Sequence, residues 1–231
     1  DGKKHTIKGL WISLSSIGNV GLFANIQGSS DNKRASVSNL FVNISKKGIT
    51  GGSSVGGICG SLSYGNIENC MVTGDISGYQ YVGGIVGWNN DNYYSSSIIS
   101  QCASSGNITA TKGYVGGILG YYDGSCSIKN CYSIANVKTE GSYSSSVYGI
   151  GYSAENCYFA GTISDTGDVY PIGVYNTNSY YDSEKTKISG KSGALTTKEM
   201  KQQASFQGWD FDKIWTIQEG VDYPKLRSLQ K

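Results

Sequence analysis

The sequence predicts an all-β chain: a parallel β-helix-like solenoid of about six to seven coils, closed by a small C-terminal capping segment with a short helix. Three observations predict it. One local phrase recurs down nearly the whole chain, with Leu10, Leu40, Cys70, Cys102, Cys131, Cys157 and Ser179 in one column at separations of 30, 30, 32, 29, 26 and 22 residues. A second, glycine-rich phrase alternates with the first. The composition of 33 Gly, 2 Pro and 18 Tyr with 16% charged residues suits short strands joined by tight turns.

The column phrase reads Ile67-Glu68-Asn69-Cys70-Met71-Val72 in one repeat and Ile128-Lys129-Asn130-Cys131-Tyr132 in another. Stacked in matching rotamers, Cys70, Cys102, Cys131 and Cys157 point the same way and not at one another, so they are expected to be small, buried and reduced. Cys59 and Cys126 lie off the column, and their state is left open. With column positions about 4.8 Å apart, the rod would be about 30 Å long.

The alternating phrase is Val55-Gly56-Gly57-Ile58, Val82-Gly83-Gly84-Ile85 and Val115-Gly116-Gly117-Ile118. Glycine weakens a strand unless the chain bends or another backbone comes close, so the pairs predict a tightly packed corner once per coil. After the column, Asp75, Asn107, Asn136 and Thr162 hold one polar position, and a stacked polar ladder is expected there. Variable stretches, notably Trp88 to Ser97 and Tyr121 to Ser125, map to edge loops, where solenoids tend to bind ligands.

The repeat pattern ends near Ser183, which divides the chain into repeats over 1–183 and a cap over 184–231. Thr196-Thr197-Lys198-Glu199 is a capping-box signature and predicts a short helix to about Ala204. The aromatic run Phe206, Trp209, Phe211, Ile214, Trp215, Ile217, Tyr223 and Leu226 is expected to cover the apolar end of the last coil.

These segments resemble the bacterial GLUG-type repeat, which couples a Gly-Gly-hydrophobic-hydrophobic-Gly strand to an Asn-Cys-Tyr strand and a following Thr-Gly. The matching stretches are Val55 to Gly60 with Glu68 to Thr73, Val82 to Gly87 with Ser100 to Ala103, and Val115 to Gly120 with Lys129 to Tyr132. The tail from Ser205 to Leu226 is also similar to the segment that closes many such regions. The first and fifth repeats depart from the consensus glycines, and Gln101 replaces the usual Asn. The resemblance implies a solenoid in a large exported bacterial protein, such as a surface adhesin or a non-catalytic portion of an IgA-specific metallopeptidase. It carries over no catalytic residue. It implies an extracellular or cell-surface location, with export directed by a signal outside this chain.

Charge and motifs narrow the chemistry. A net charge of +2 from 19 basic and 17 acidic residues leaves no basic stripe, so nucleic acid is not an expected partner. No apolar run approaches the roughly 18 to 20 residues of a membrane span. Gly52-Ser53-Ser54-Val55-Gly56 has nucleophile-elbow spacing, but the single histidine, His5, is remote in sequence. Gly190-Lys191-Ser192 lacks the glycine that a phosphate loop needs at position 185, and one histidine cannot supply a paired zinc motif.

Trp88, Tyr93, Tyr94, Tyr121 and Tyr122 are candidates for an aromatic binding strip, with Asn90, Asp91 and Asp123 as polar partners. Neighbouring Asn89 and Asn92 could contribute as well. The expected function is a non-enzymatic adhesin or binding module without cofactor, whose partner is a host or cell-surface glycan or protein. Two alternatives stand beside it: a glycan-active β-helix enzyme with Asp91 and Asp123 emerging from adjacent coils roughly 5 to 9 Å apart, and a passive stalk within a larger exported enzyme.

Overall fold

From Asn39 onward, each coil turns at a residue in the left-handed backbone region, placed immediately before a buried residue. Asn39, Asn69, Gln101, Asn130, Asn156 and Asn178 have φ between 46° and 54°. Asn enters this region more readily than other non-glycine residues because its short side chain bonds locally, which accounts for the Asn-Cys phrase. The following Cys70, Cys102, Cys131 and Cys157 are fully buried.

Their sulfurs bridge consecutive coils. Each thiol donates to the carbonyl two residues earlier: Cys70 to Glu68 at 3.3 Å, and Cys102, Cys131 and Cys157 to Ser100, Lys129 and Glu155 at 3.2 Å. The sulfurs also accept, from the Cys102 N–H to Cys131 Sγ at 3.4 Å and from the Cys131 N–H to Cys157 Sγ at 3.3 Å. At the last position Ser179 does the same work: its hydroxyl donates to the Thr177 carbonyl at 2.9 Å and accepts from the Cys157 N–H at 3.1 Å. All six cysteines, Cys59 and Cys126 included, are free and buried. Burial pushes the Cys59 and Cys126 thiols well up, which keeps them protonated.

The computed structural model describes residues 1–91, 96–141, 145–164 and 167–230. In the coil that starts at Cys70 the strands are Met71–Thr73, Ile76–Gly78, Tyr81–Gly83, Val86–Asn90 and Ser97–Ser100. Every one of them pairs in parallel and in register with its counterparts in neighbouring coils, as in a β-solenoid. Ladders such as Val20-Val55-Val82-Val115-Val147-Val169 therefore run along the axis. A single apolar core fills the interior.

The glycine corner is as tight as its recurrence predicts. A Cβ on Gly84 would lie 2.1 Å from the Gly117 carbonyl oxygen and 2.6 Å from Ser104 Cβ, so the backbone needs a residue without a side chain. Across the coil, Ser104 Oγ donates to the Gly117 carbonyl at 2.5 Å and lies 2.9 Å from Ser133 Oγ, from which it can accept, so its buried hydroxyl is satisfied. The polar ladder also forms. Asn107 Nδ2 donates to Asp75 at 2.8 Å, Asn136 Nδ2 to Asn107 at 3.0 Å and Thr162 Oγ1 to Asn136 at 2.8 Å.

The first coil and the capping box differ from the sequence reading. Leu10 is not in the column: His5 stands opposite Leu40, and Leu10 opposite Ile44. The reason is that His5–Leu14 pairs with the long strand Leu40–Gly51 through register shifts at Lys8/Leu10 and Leu10/Ile12, and the extra residues displace the phrase. The capping box does close, with Thr196 N–H donating to Glu199 Oε2 at 2.8 Å and Glu199 N–H to Thr196 Oγ1 at 3.2 Å. It opens the 3-10 turns Glu199–Lys201 and Gln203–Ser205 in place of an α-helix. The short α-helix is Ser183–Thr186, N-capped by Asp182.

Beyond Ser183 the parallel ladder gains one more strand, Ala194–Leu195, paired with Tyr181–Asp182. The tail is tied to this last coil, where Asp182 Oδ2 accepts from Thr197 Oγ1 at 2.7 Å and from the Tyr223 hydroxyl at 2.6 Å. It then covers a flank. Met200, Phe206, Trp209, Trp215 and Leu226 bury themselves against Tyr158 and Ala160, and the Tyr158 hydroxyl donates to the Pro224 carbonyl at 2.9 Å. Leu229 reaches the outer face of the early coils beside Thr6, Phe41 and Met71.

Cys131→Ala leaves the buried Cys102 N–H without its acceptor and should cost about 1 to 3 kcal/mol. Cys131→Ser, which places at this position the hydroxyl already used at Ser179, should cost clearly less. Urea unfolding of the two variants checks the order.

Candidate functional site

The outward positions of the glycine sheet and of the strand after it carry aromatic residues in several consecutive coils. Tyr81 pairs with Tyr114, Trp88 with Tyr121, and Tyr148 with Tyr170, so the ladder itself brings these rings into rows. Tyr81 stacks on Tyr121 with centroids 4.6 Å apart and planes 14° apart, and Tyr114 lies 4.6 Å from Tyr121. Tyr121 contacts Tyr122 at 6.4 Å and Tyr122 contacts Tyr152 at 4.4 Å. Tyr148, Tyr170 and Tyr175 extend the same chain of rings at 5.5 to 6.1 Å.

This surface encloses an open groove of about 430 Å³, lined by Tyr114, Tyr121, Tyr122, Tyr148, Tyr152 and Tyr170 together with Asp123, Gly124, Ser146 and Val174. Burial perturbs several of these tyrosines. Burial, with the nearby Asp123 carboxylate second, pushes Tyr121 up to about 12 and raises Tyr81. Burial likewise pushes Tyr148 up to about 12. The hydroxyls of Tyr81, Tyr121 and Tyr148 thus stay neutral donors and acceptors across the physiological range.

The candidate strip read from the sequence is divided by the fold. Tyr121, Tyr122 and Asp123 line the groove. Trp88 adjoins it through Tyr81, with centroids 6.1 Å apart. Asn90 is exposed and stands opposite Asp123 in the ladder. Tyr93, Tyr94 and Asn92 lie outside the described residues.

Asp91 turns inward and has a different task. It is 5% exposed, and its carboxylate accepts from the Tyr64 N–H at 2.7 Å, from Asn89 Nδ2 at 3.0 Å and from the Ser97 N–H. The buried Asn89 also donates to the Leu62 carbonyl at 3.2 Å. Asp91 and Asn89 therefore anchor the base of the loop, and the groove lining contains Asp123 alone of the two acids. The expectation that Asp91 would share an edge cleft with Asp123 fails for a simple reason: N–H groups inside the coil hold its oxygens.

Tyr81, Tyr114, Tyr148, Tyr152 and Tyr170 are absent from the sequence-derived set. Their signal was present, since Tyr81 and Tyr114 each precede a Val-Gly-Gly phrase. Among the described residues no group of three or more His, Cys, Asp or Glu side chains could hold a metal ion. No helix among them is long and apolar enough to cross a membrane.

Fold and groove together define a parallel β-solenoid repeat protein with an aromatic surface groove. The GLUG motif matches residues 51–77, 78–109 and 112–138, so these coils are GLUG repeats, as the sequence resemblance implied. A protein of Evansella cellulosilytica named "Putative Gly-rich membrane protein" is 32% identical over 138 residues, covering 58% of this chain and 14% of its own length. This chain thus matches a small part of a much longer relative. Among solved structures, the crystal structure of a "putative immunoglobulin A1 protease" from Bacteroides ovatus superposes with a TM-score of 0.59 at 22% identity, over 99% of this chain and 77% of that one. That likeness is one of fold.

Asp91→Ala strands its three donors and should destabilise the protein by about 3 kcal/mol, lowering the melting temperature by roughly 6 to 12 °C. Asp123→Asn, at an exposed position, should stay within about 0.5 kcal/mol of wild type. Thermal melts of both variants read the difference.

Proposed function

We propose that this chain is a non-catalytic, extracellular binding module of a bacterial surface or secreted protein, and that the tyrosine groove holds a glycan. The groove is the observation that carries this reading. Tyrosine offers a flat apolar face to a sugar ring and a hydroxyl at its edge, and the groove repeats that pairing from coil to coil. Parallel ladders on both sides fix the rings before any ligand arrives, so little conformational entropy is lost on binding.

The competing readings draw less support. A retaining or inverting glycosidase needs two carboxylates facing one bond. Asp91, buried and hydrogen-bonded, is poorly placed to serve beside Asp123. A passive stalk gives no reason for rings to gather around an open groove when the flank rings of Tyr132, Tyr158 and Tyr180 are covered by the tail. The large share of the Evansella relative that lies outside the match agrees with a module carried by a bigger protein.

A glycan array probed with wild type and with a Tyr121→Ala, Tyr152→Ala double variant tests the reading. Specific binding by wild type, weakened at least tenfold in a variant whose β-sheet circular dichroism is unchanged, is the expected result. An array that stays blank for wild type would overturn the glycan site.

A further inference from the structure

We infer that the groove selects glycans bearing free amino groups, with Asp123 as the residue that sets this preference. The inference rests on the glycan reading above and names the class of sugar. Its ground is charge complementarity. Asp123 is the single charged residue in the described lining, and no Lys, Arg or His accompanies it. The face of each tyrosine ring around it carries the negative end of its quadrupole. A carboxylate in a groove lined by tyrosine rings attracts an ammonium group by Coulomb attraction, with cation–π contact added, and repels an anionic sugar.

One of these rings already serves an ammonium group within the chain: Lys191 Nζ lies 5.3 Å from the centroid of Tyr170, a groove residue. The Lys191 ammonium also donates to the Val169 carbonyl, so it is held at the Tyr170 side and not offered to the groove as a free anion contact. The charge of the whole chain does not explain the preference. At +2 with a pI near 8.1, the protein as a whole repels cationic polymers, so capture of an amino sugar has to be local to the groove.

The amine is also a length-independent marker. A 2-amino sugar and its N-acetyl counterpart present the same ring to Tyr121 and Tyr152, but only the free amine is charged below its pKa. Stacking therefore contributes to both ligands, and the ion pair with Asp123 to one.

The test is calorimetric titration at pH 5.5 and low salt with two probes, a β-1,4-linked glucosamine oligomer and the same oligomer fully N-acetylated. Wild type should bind the free-amine oligomer at least tenfold tighter. Asp123→Asn should lower the affinity for the free-amine oligomer to about that for the N-acetylated one, and Tyr121→Ala, Tyr152→Ala should weaken both. Equal affinities in wild type, or a preference that survives Asp123→Asn, would overturn the amine inference and leave the glycan site standing. Amine-dependent binding that survives the tyrosine double variant would overturn it too, by placing the contact outside the groove. No binding of either oligomer overturns the inference, and the array result then decides whether a glycan site remains.

Discussion

The left-handed residue before each column position sets the shape of the whole molecule. Turning the chain there aims the next side chain inward, and the small thiol or hydroxyl at that point links the carbonyl two residues back to the N–H of the preceding coil. A larger apolar residue would fill the space without satisfying those groups, and buried backbone N–H groups without partners are costly. Cysteine and serine both suit the corner, which is why the column can pass from Cys157 to Ser179 without a break. With the corner fixed, the spacing of coils follows from strand pairing. Narrow packing against the glycine sheet then follows from the contact between Gly84 and Ser104.

The groove is a consequence of that register. Because Tyr81 falls on Tyr114 and Trp88 on Tyr121, ring positions are inherited from backbone pairing and not from loop conformation. The opposite flank shows what becomes of stacked outward rings when something covers them. Tyr132 and Tyr158 stack at 5.0 Å with planes 1° apart and lie under Trp215, inside the second apolar cluster. One face of the solenoid is thus closed by the chain's own tail, and another leaves its tyrosines open around Asp123.

Much of the architecture was legible because a solenoid writes its structure into a repeat. The column from Leu40 to Ser179, the Asp75-Asn107-Asn136-Thr162 ladder and the glycine corner all rest on positions that recur. Leu10 was misread because the matching of short phrases ignores bulges, and the first coil contains two register shifts. The path of the tail was not legible either. Nothing in Phe206 to Leu226 distinguishes a plug over the last coil from a cover along the flank, since both need the same apolar residues. In the site, Tyr121, Tyr122 and Asp123 were found from their loop, but Asp91 was given to the surface because composition does not reveal which loop carboxylate meets inward N–H groups. Tyr148 and Tyr152 lie in a coil whose glycine phrase is weak, so the register that brings them to the groove emerges only from pairing across coils.

The most direct test of this account compares Asn130→Gly with Asn130→Ala by chemical unfolding. Asn130 sits at φ 51° immediately before Cys131, so the demand at this position is conformational. Glycine meets it freely, and the glycine variant should stay within about 0.5 kcal/mol of wild type. Alanine, which resists the left-handed region, should cost about 1 to 2 kcal/mol. Alanine tolerated as well as glycine would contradict the claim that a left-handed corner holds the coils in register.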